Sequence, residues 1–78
     1  MNKKRRSVLR EINERLSTIK DEIETVMDDE QEAYDNLPDG IRDGDRGEQM
    51  ADNVSELQGV IDTLESDVID KLDTIAAC

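Results

Sequence analysis

Histidine, tryptophan and phenylalanine are absent from this chain, and tyrosine, cysteine and proline occur once each. Without histidine the commonest general base and zinc ligand are missing, and with Tyr34 as the only aromatic there is no platform on which bases could stack. A single cysteine, Cys78, cannot staple a small fold; it reads as an inert terminal thiol, with a cross-link between two copies as the alternative. Being the last residue, it lacks the three that a prenylation box needs after its cysteine. Long apolar runs are missing too, so neither a signal peptide nor a membrane span is expected, and the reading is a cytoplasmic protein, the host cytoplasm if phage-encoded. These absences argue against an enzyme, a cofactor, a metal or a small-molecule substrate.

What remains is 35% apolar and 40% charged, a composition that folds only if the apolar residues are tightly patterned. They are. From Leu9 they step by threes and fours through Ile12, Leu16, Ile19, Ile23 and Val26, and resume at Ala33 and Leu37. This heptad stripe is interrupted by Glu30, and Met27 and Tyr34 lie beside it. The spacing predicts one helix over about 7–36, with Ser7 as its N-cap. A second stripe runs through Met50, Val54, Leu57, Ile61, Leu64, Val68, Leu72 and Ile75, predicting a helix over about 46–76. Its two consecutive steps of four, Leu64 to Val68 to Leu72, form a stutter that unwinds a supercoil locally. Gly59 inside this helix either permits a close helix approach or is incidental.

Between them "LPDGIRDGD", residues 37–45, reads as a corner. Pro38 cannot continue a helix and biases Leu37 against one, so "PDG" is expected to turn. Asp45 with Glu48 fits a capping box for the second helix, Asp43 and Gly44 competing for the cap. So short a linker sends the second helix back antiparallel to the first. Charge agrees: residues 1–20 carry seven of the ten basic side chains against Glu11 and Glu14, and residues 21–78 carry nineteen of the 21 acids. The fold class expected is all-α, a single antiparallel helical hairpin over 1–78.

A lone hairpin leaves part of each apolar stripe in water, and two copies packed as a four-helix bundle would cover it. The expected dimer core is Ile23, Val26, Met27, Leu57, Val60, Ile61, Leu64, Val68 and Ile69, with a hairpin completed by a target protein as the alternative. Glu30 is expected to pair with Lys71 as a register device.

The corner does not carry chemistry. Started at Asp39, a calcium loop finds Ile41 at its third position and Met50 at its twelfth, where it needs a bidentate glutamate. Neither phosphate-binding fingerprint is present, and the loop is acidic. The clustered acids Asp28, Asp29, Glu30 and Glu32 have no pocket to tune them and read as a solvated face. "KKRR", residues 3–6, is too short and too poor in aromatics to predict direct nucleic-acid binding.

The stretch "EAYDNLPDGIRDGDRGEQM", residues 32–50, resembles a group of small acidic helical-hairpin proteins found in prophages and mobile elements of Gram-positive bacteria. The specific matches are Tyr34 to Pro38 and Arg46 to Glu48; Gly44 stands where relatives tend to have serine. No activity comes with the resemblance. It implies a phage-type inhibitor of a bacterial defence or nuclease protein as the specific form of a non-enzymatic interaction module. Tyr34, Asp35, Asn36, Leu37, Ile41, Arg42 and Arg46 are the candidate partner-binding residues; the competing reading of Tyr34 and Leu37 is that they seal the bundle end. Two other functions remain open: an acidic nucleic-acid mimic blocking a DNA- or RNA-binding protein, and a passive assembly subunit.

Overall fold

In the computed structural model, which describes residues 1–77, the chain is a helical hairpin 59 Å long and 16 by 11 Å across. Helix α1, Lys3–Asp35, runs the length of the rod; α2, Asp39–Arg42, is a single turn at the corner; α3, Asp45–Thr63, starts back. It passes through a π-helical segment, Leu64–Ile69, into α4, Asp70–Ala77. Cys78 and the expectations placed on it lie outside the described residues. Among those residues no helix is long and apolar enough to cross a membrane.

Helix α1 starts at Lys3, nearly two turns before Leu9, where its apolar pattern begins. Asn2, not Ser7, is the N-cap: its backbone is extended and its side-chain oxygen accepts from the Arg5 N–H at 2.8 Å. Asparagine caps as well as serine, and lysine and arginine propagate helix well, so nothing holds the helix back to the first apolar residue. The first turn then holds Lys3, Lys4, Arg5 and Arg6 and no acid, the wrong sign for the helix dipole.

Helix α1 ends at Asn36, and Pro38 opens the next turn with its carbonyl accepting from the N–H groups of Ile41 and Arg42, both at 2.9 Å. The expected turn is therefore a one-turn helix. Gly44, extended, caps α3 through its carbonyl, which takes the Glu48 N–H at 3.0 Å. The Asp45 capping box is not made, because Asp45 already lies in the helix, where it and Glu48 place acid favourably against the dipole.

The contact between the two arms corrects the sequence reading. Facing the return arm are Arg6, Leu9, Asn13, Leu16, Lys20, Ile23, Met27, Glu30, Tyr34 and Leu37, an unbroken alternation of threes and fours in which every residue is buried or half-buried. It shares Leu9, Leu16, Ile23 and Leu37 with the apolar stripe but replaces Ile12, Ile19, Val26 and Ala33 by Asn13, Lys20, Met27 and Tyr34. The hairpin packs on one edge of its apolar stripe. The return arm answers with Gly47, Met50, Val54, Leu57, Ile61, Leu64, Val68, Ile69, Leu72 and Ala76. The step from Val68 to Ile69 falls in the π segment, whose Asp70 N–H reaches back five residues to the Glu65 carbonyl. One inserted residue is how this helix absorbs the stutter and keeps Leu72 and Ala76 facing α1.

The core so formed is slight: Ile61, Ile69 and Ala76 are its only buried apolar residues among those described. A compact monomer of this mass would expose roughly 4,800 Å², whereas the hairpin exposes 5677 Å². Its radius of gyration, 17.4 Å, likewise exceeds the ~12 Å of a compact domain of this length.

Candidate functional site

Two regions stand out from the solvated helix surface: the corner, where the distinctive sequence lies, and a groove between the arms midway to the corner.

At the corner, Arg42 is the organising side chain. One guanidinium nitrogen donates to the carbonyls of Asp35 and Leu37, both at 3.1 Å, and the group lies 5.9 Å from the centre of the Tyr34 ring. A cation on the last carbonyls of a helix satisfies acceptors that the helix cannot, and guanidinium on an aromatic face adds to it. The contact with the Asp39 carboxylate, 3.7 Å away and with Asp39 almost fully in water, adds little. Of the candidate partner-binding residues, Tyr34, Leu37 and Arg42 are thus drawn together and half-buried. Asp35 accepts from Gln31 at 3.0 Å along α1. Asp35, Asn36, Ile41 and Arg46 remain exposed, Ile41 as an isolated apolar side chain.

Gly47, which the sequence reading noted only within the matched stretch Arg46 to Glu48, fixes how closely α3 approaches this turn. A Cβ there would overlap the carbonyl of Arg42. Gly59, which that reading did single out, has open space where its Cβ would be, so it is a surface glycine.

The groove is lined by Val26, Asp29, Glu30, Asn53, Glu56, Leu57 and Val60 and encloses about 520 Å³. Glu30 sits at its edge and accepts from the Asn53 amide at 3.0 Å, a pair that crosses the arms within one hairpin; the expected partnership with Lys71 is one across the bundle. Val26 and Val60 form its apolar walls at 57% and 47% exposure. They are the two of the nine expected dimer-core residues left open. Ile61 and Ile69 are buried within one hairpin, and Ile23, Met27, Leu57, Leu64 and Val68 are half-buried in its seam. The groove continues an apolar face on the same side: seven and fourteen residues before Val26 come Ile19, 45% exposed, and Ile12, half-buried. Ile75 stands to buried Ala76 as Val60 does to buried Ile61, and it too is exposed. The signal in the sequence was the seven-residue recurrence of Ile12, Ile19 and Val26 directly before Asn13, Lys20 and Met27.

The opposite side of the seam is polar. Arg10, Asn13, Glu14, Ser17, Ile69 and Asp73 line a shallow cleft there, where Asn13 donates to the Ile69 carbonyl at 3.0 Å and to the Asp73 carboxylate at 2.6 Å. Asn13 is 6% exposed and its amide oxygen has no partner among the described residues. Among those residues no three histidine, cysteine or acidic side chains are placed to hold a metal ion.

No protein-family model, curated protein or solved structure matches this chain.

Proposed function

We propose that this chain is a non-enzymatic protein-interaction module that completes its core on a second copy, as a homodimeric four-helix bundle, and binds a protein target through the corner that carries Tyr34, Asp35, Asn36, Leu37, Ile41, Arg42 and Arg46. The observation that carries this reading is the apolar flank: Ile19, Val26, Val60 and Ile75 stand in water on a hairpin that buries three apolar residues. Apolar surface gathered on one face of a small rod is normally covered by a partner. The resemblance of residues 32–50 to small acidic prophage proteins gives the reading its specific form, an inhibitor of a bacterial defence or nuclease protein.

Sedimentation equilibrium from nanomolar to micromolar concentration tests the self-association. The dimer mass is expected throughout the upper range, and a monomer at every concentration would sink it. Affinity capture at low and high salt then tests how the target is held.

A second reading, an acidic mimic of nucleic acid, is favoured by where the charge lies. Residues 21–64, the half of the rod that includes the corner, carry fifteen acids against Arg42 and Arg46. An array of that density along an axis competes for a cationic groove. Target binding that falls steeply with salt and is displaced by duplex DNA selects this reading; binding that withstands high salt selects an apolar or corner-borne contact.

A further inference from the structure

The reading above leaves open how the second copy lies, and the charge distribution decides between the two symmetric ways. Residues 1–20 hold seven cations beside Glu11 and Glu14, and the part of the return arm packed on them, residues 65–77, holds four acids and Lys71. This end of the rod is close to neutral with an excess of cations, whereas the corner half is strongly anionic. A parallel pair, its two-fold along the rod, would stack one anionic half on the other, with each α1 over the return arm of the other copy. An antiparallel pair sets each half against its opposite.

The apolar flank has the matching symmetry. Ile12 and Val26 lie seven residues to either side of Ile19. A two-fold axis passing at Ile19 therefore brings Ile19 against its own copy and seats Ile12 beside Val26 of the other chain, in the groove with Val60. The same operation carries exposed Val8 to the level of Glu30, Arg15 to that of Ile23, next to Glu22, and Arg5 to that of Ala33, next to Glu32. The acidic rim of the groove, Asp29, Glu30 and Glu56, thus receives the basic first turns of the other α1. The four cations that oppose the dipole of their own helix acquire anionic neighbours in this arrangement. Area is sufficient as well: a face 59 by 16 Å offers on the order of 900 Å² per copy, about what a stable interface buries from each partner.

We infer that the groove between Val26 and Val60 is the seat of Val8 and Ile12 from a second copy of this chain, laid antiparallel about a two-fold axis at Ile19. The inference rests on the self-association proposed above and fixes its face and direction.

Disulfide trapping in a Cys78→Ser background tests it. Ile19→Cys alone is expected to give a covalent dimer on mild oxidation, since the antiparallel two-fold passes at that residue. Ile12→Cys and Val26→Cys, one of them tagged for size and mixed in equal amounts, are expected to give the mixed dimer several-fold above either self-linked species. If each links chiefly to itself, the copies lie parallel and the inference falls while self-association stands. A dimer by sedimentation that none of the three variants traps places the interface on another face, with the same consequence. No trapping by Ile19→Cys together with a monomeric sedimentation profile removes the self-association reading itself.

Discussion

At the corner, α3 runs so close to the preceding turn that the Arg42 carbonyl occupies the space a side chain at position 47 would need, and the Arg42 guanidinium closes the end of α1. At the open end the arms are joined by side chains that cross between them, Asn13 to Ile69 and Asp73, and Arg10 to the Ala76 carbonyl at 3.3 Å. A backbone contact has no rotamers, so it tolerates no change; a side-chain bridge can loosen one bond at a time. The corner therefore sets the pairing of the arms, and the open end holds the register that the corner has set.

The sharpest way to break that contrast is Gly47→Ala. The added methyl must displace the Arg42 turn, and overpacking of this kind costs about 2–3 kcal/mol, more than the helix propensity gained. Urea denaturation at fixed protein concentration reads it directly, and an unchanged midpoint would show that the corner is not locked as described. Asn13→Ala acts on the other end. Loss of two cross-arm hydrogen bonds is expected to cost about 1–2 kcal/mol, and amide exchange should quicken in α4 before it does around residues 37–50. Uniform quickening along both arms would remove the distinction between the ends.

Arg42→Lys asks how much of the corner depends on the guanidinium plane. One nitrogen serves both the Asp35 and the Leu37 carbonyl, so an ammonium there could keep both bonds but leaves no guanidinium plane beside the Tyr34 ring, and a loss of about 1 kcal/mol is expected in the same denaturation series. Gly59→Ala is the smallest effect and has the opposite sign. With open space around it, alanine is expected to stabilise the helix by about 0.5–1 kcal/mol, raising the melting temperature by a few degrees. Two glycines of one helix, Gly47 and Gly59, should thus answer the same substitution in opposite directions.

The sequence revealed two helices and a corner because each rests on local chemistry. Pro38 blocks one helix hydrogen bond, and the apolar recurrence marks a helix whatever it packs on. The stutter at Leu64, Val68 and Leu72 was visible as well, though not the π segment that takes it up. The packing role of Gly47 was not legible because it is set by Arg42, five residues away on a separate turn. Glu30 was legible as a charged intrusion in the stripe, but its partner within the hairpin, Asn53, was not, since charge alone pointed to a cation.

What the sequence alone determined, then, is an all-helical chain that turns once and carries more apolar residues than one arm-to-arm contact can cover. It also determined a rod anionic at its corner and richer in cations at its open end. Only the tertiary structure decided which edge of the apolar stripe goes inside. Two ladders of threes and fours share Leu9, Leu16, Ile23 and Leu37, one completed by Ile12, Ile19 and Val26, the other by Asn13, Lys20 and Met27. Composition favours the first. The return arm packs on the second, because a helix has no preferred azimuth of its own and takes the one that its neighbour and the locked corner allow. The residues peculiar to the more apolar ladder, Ile12, Ile19 and Val26, thereby flank the seam, where a second copy can reach them.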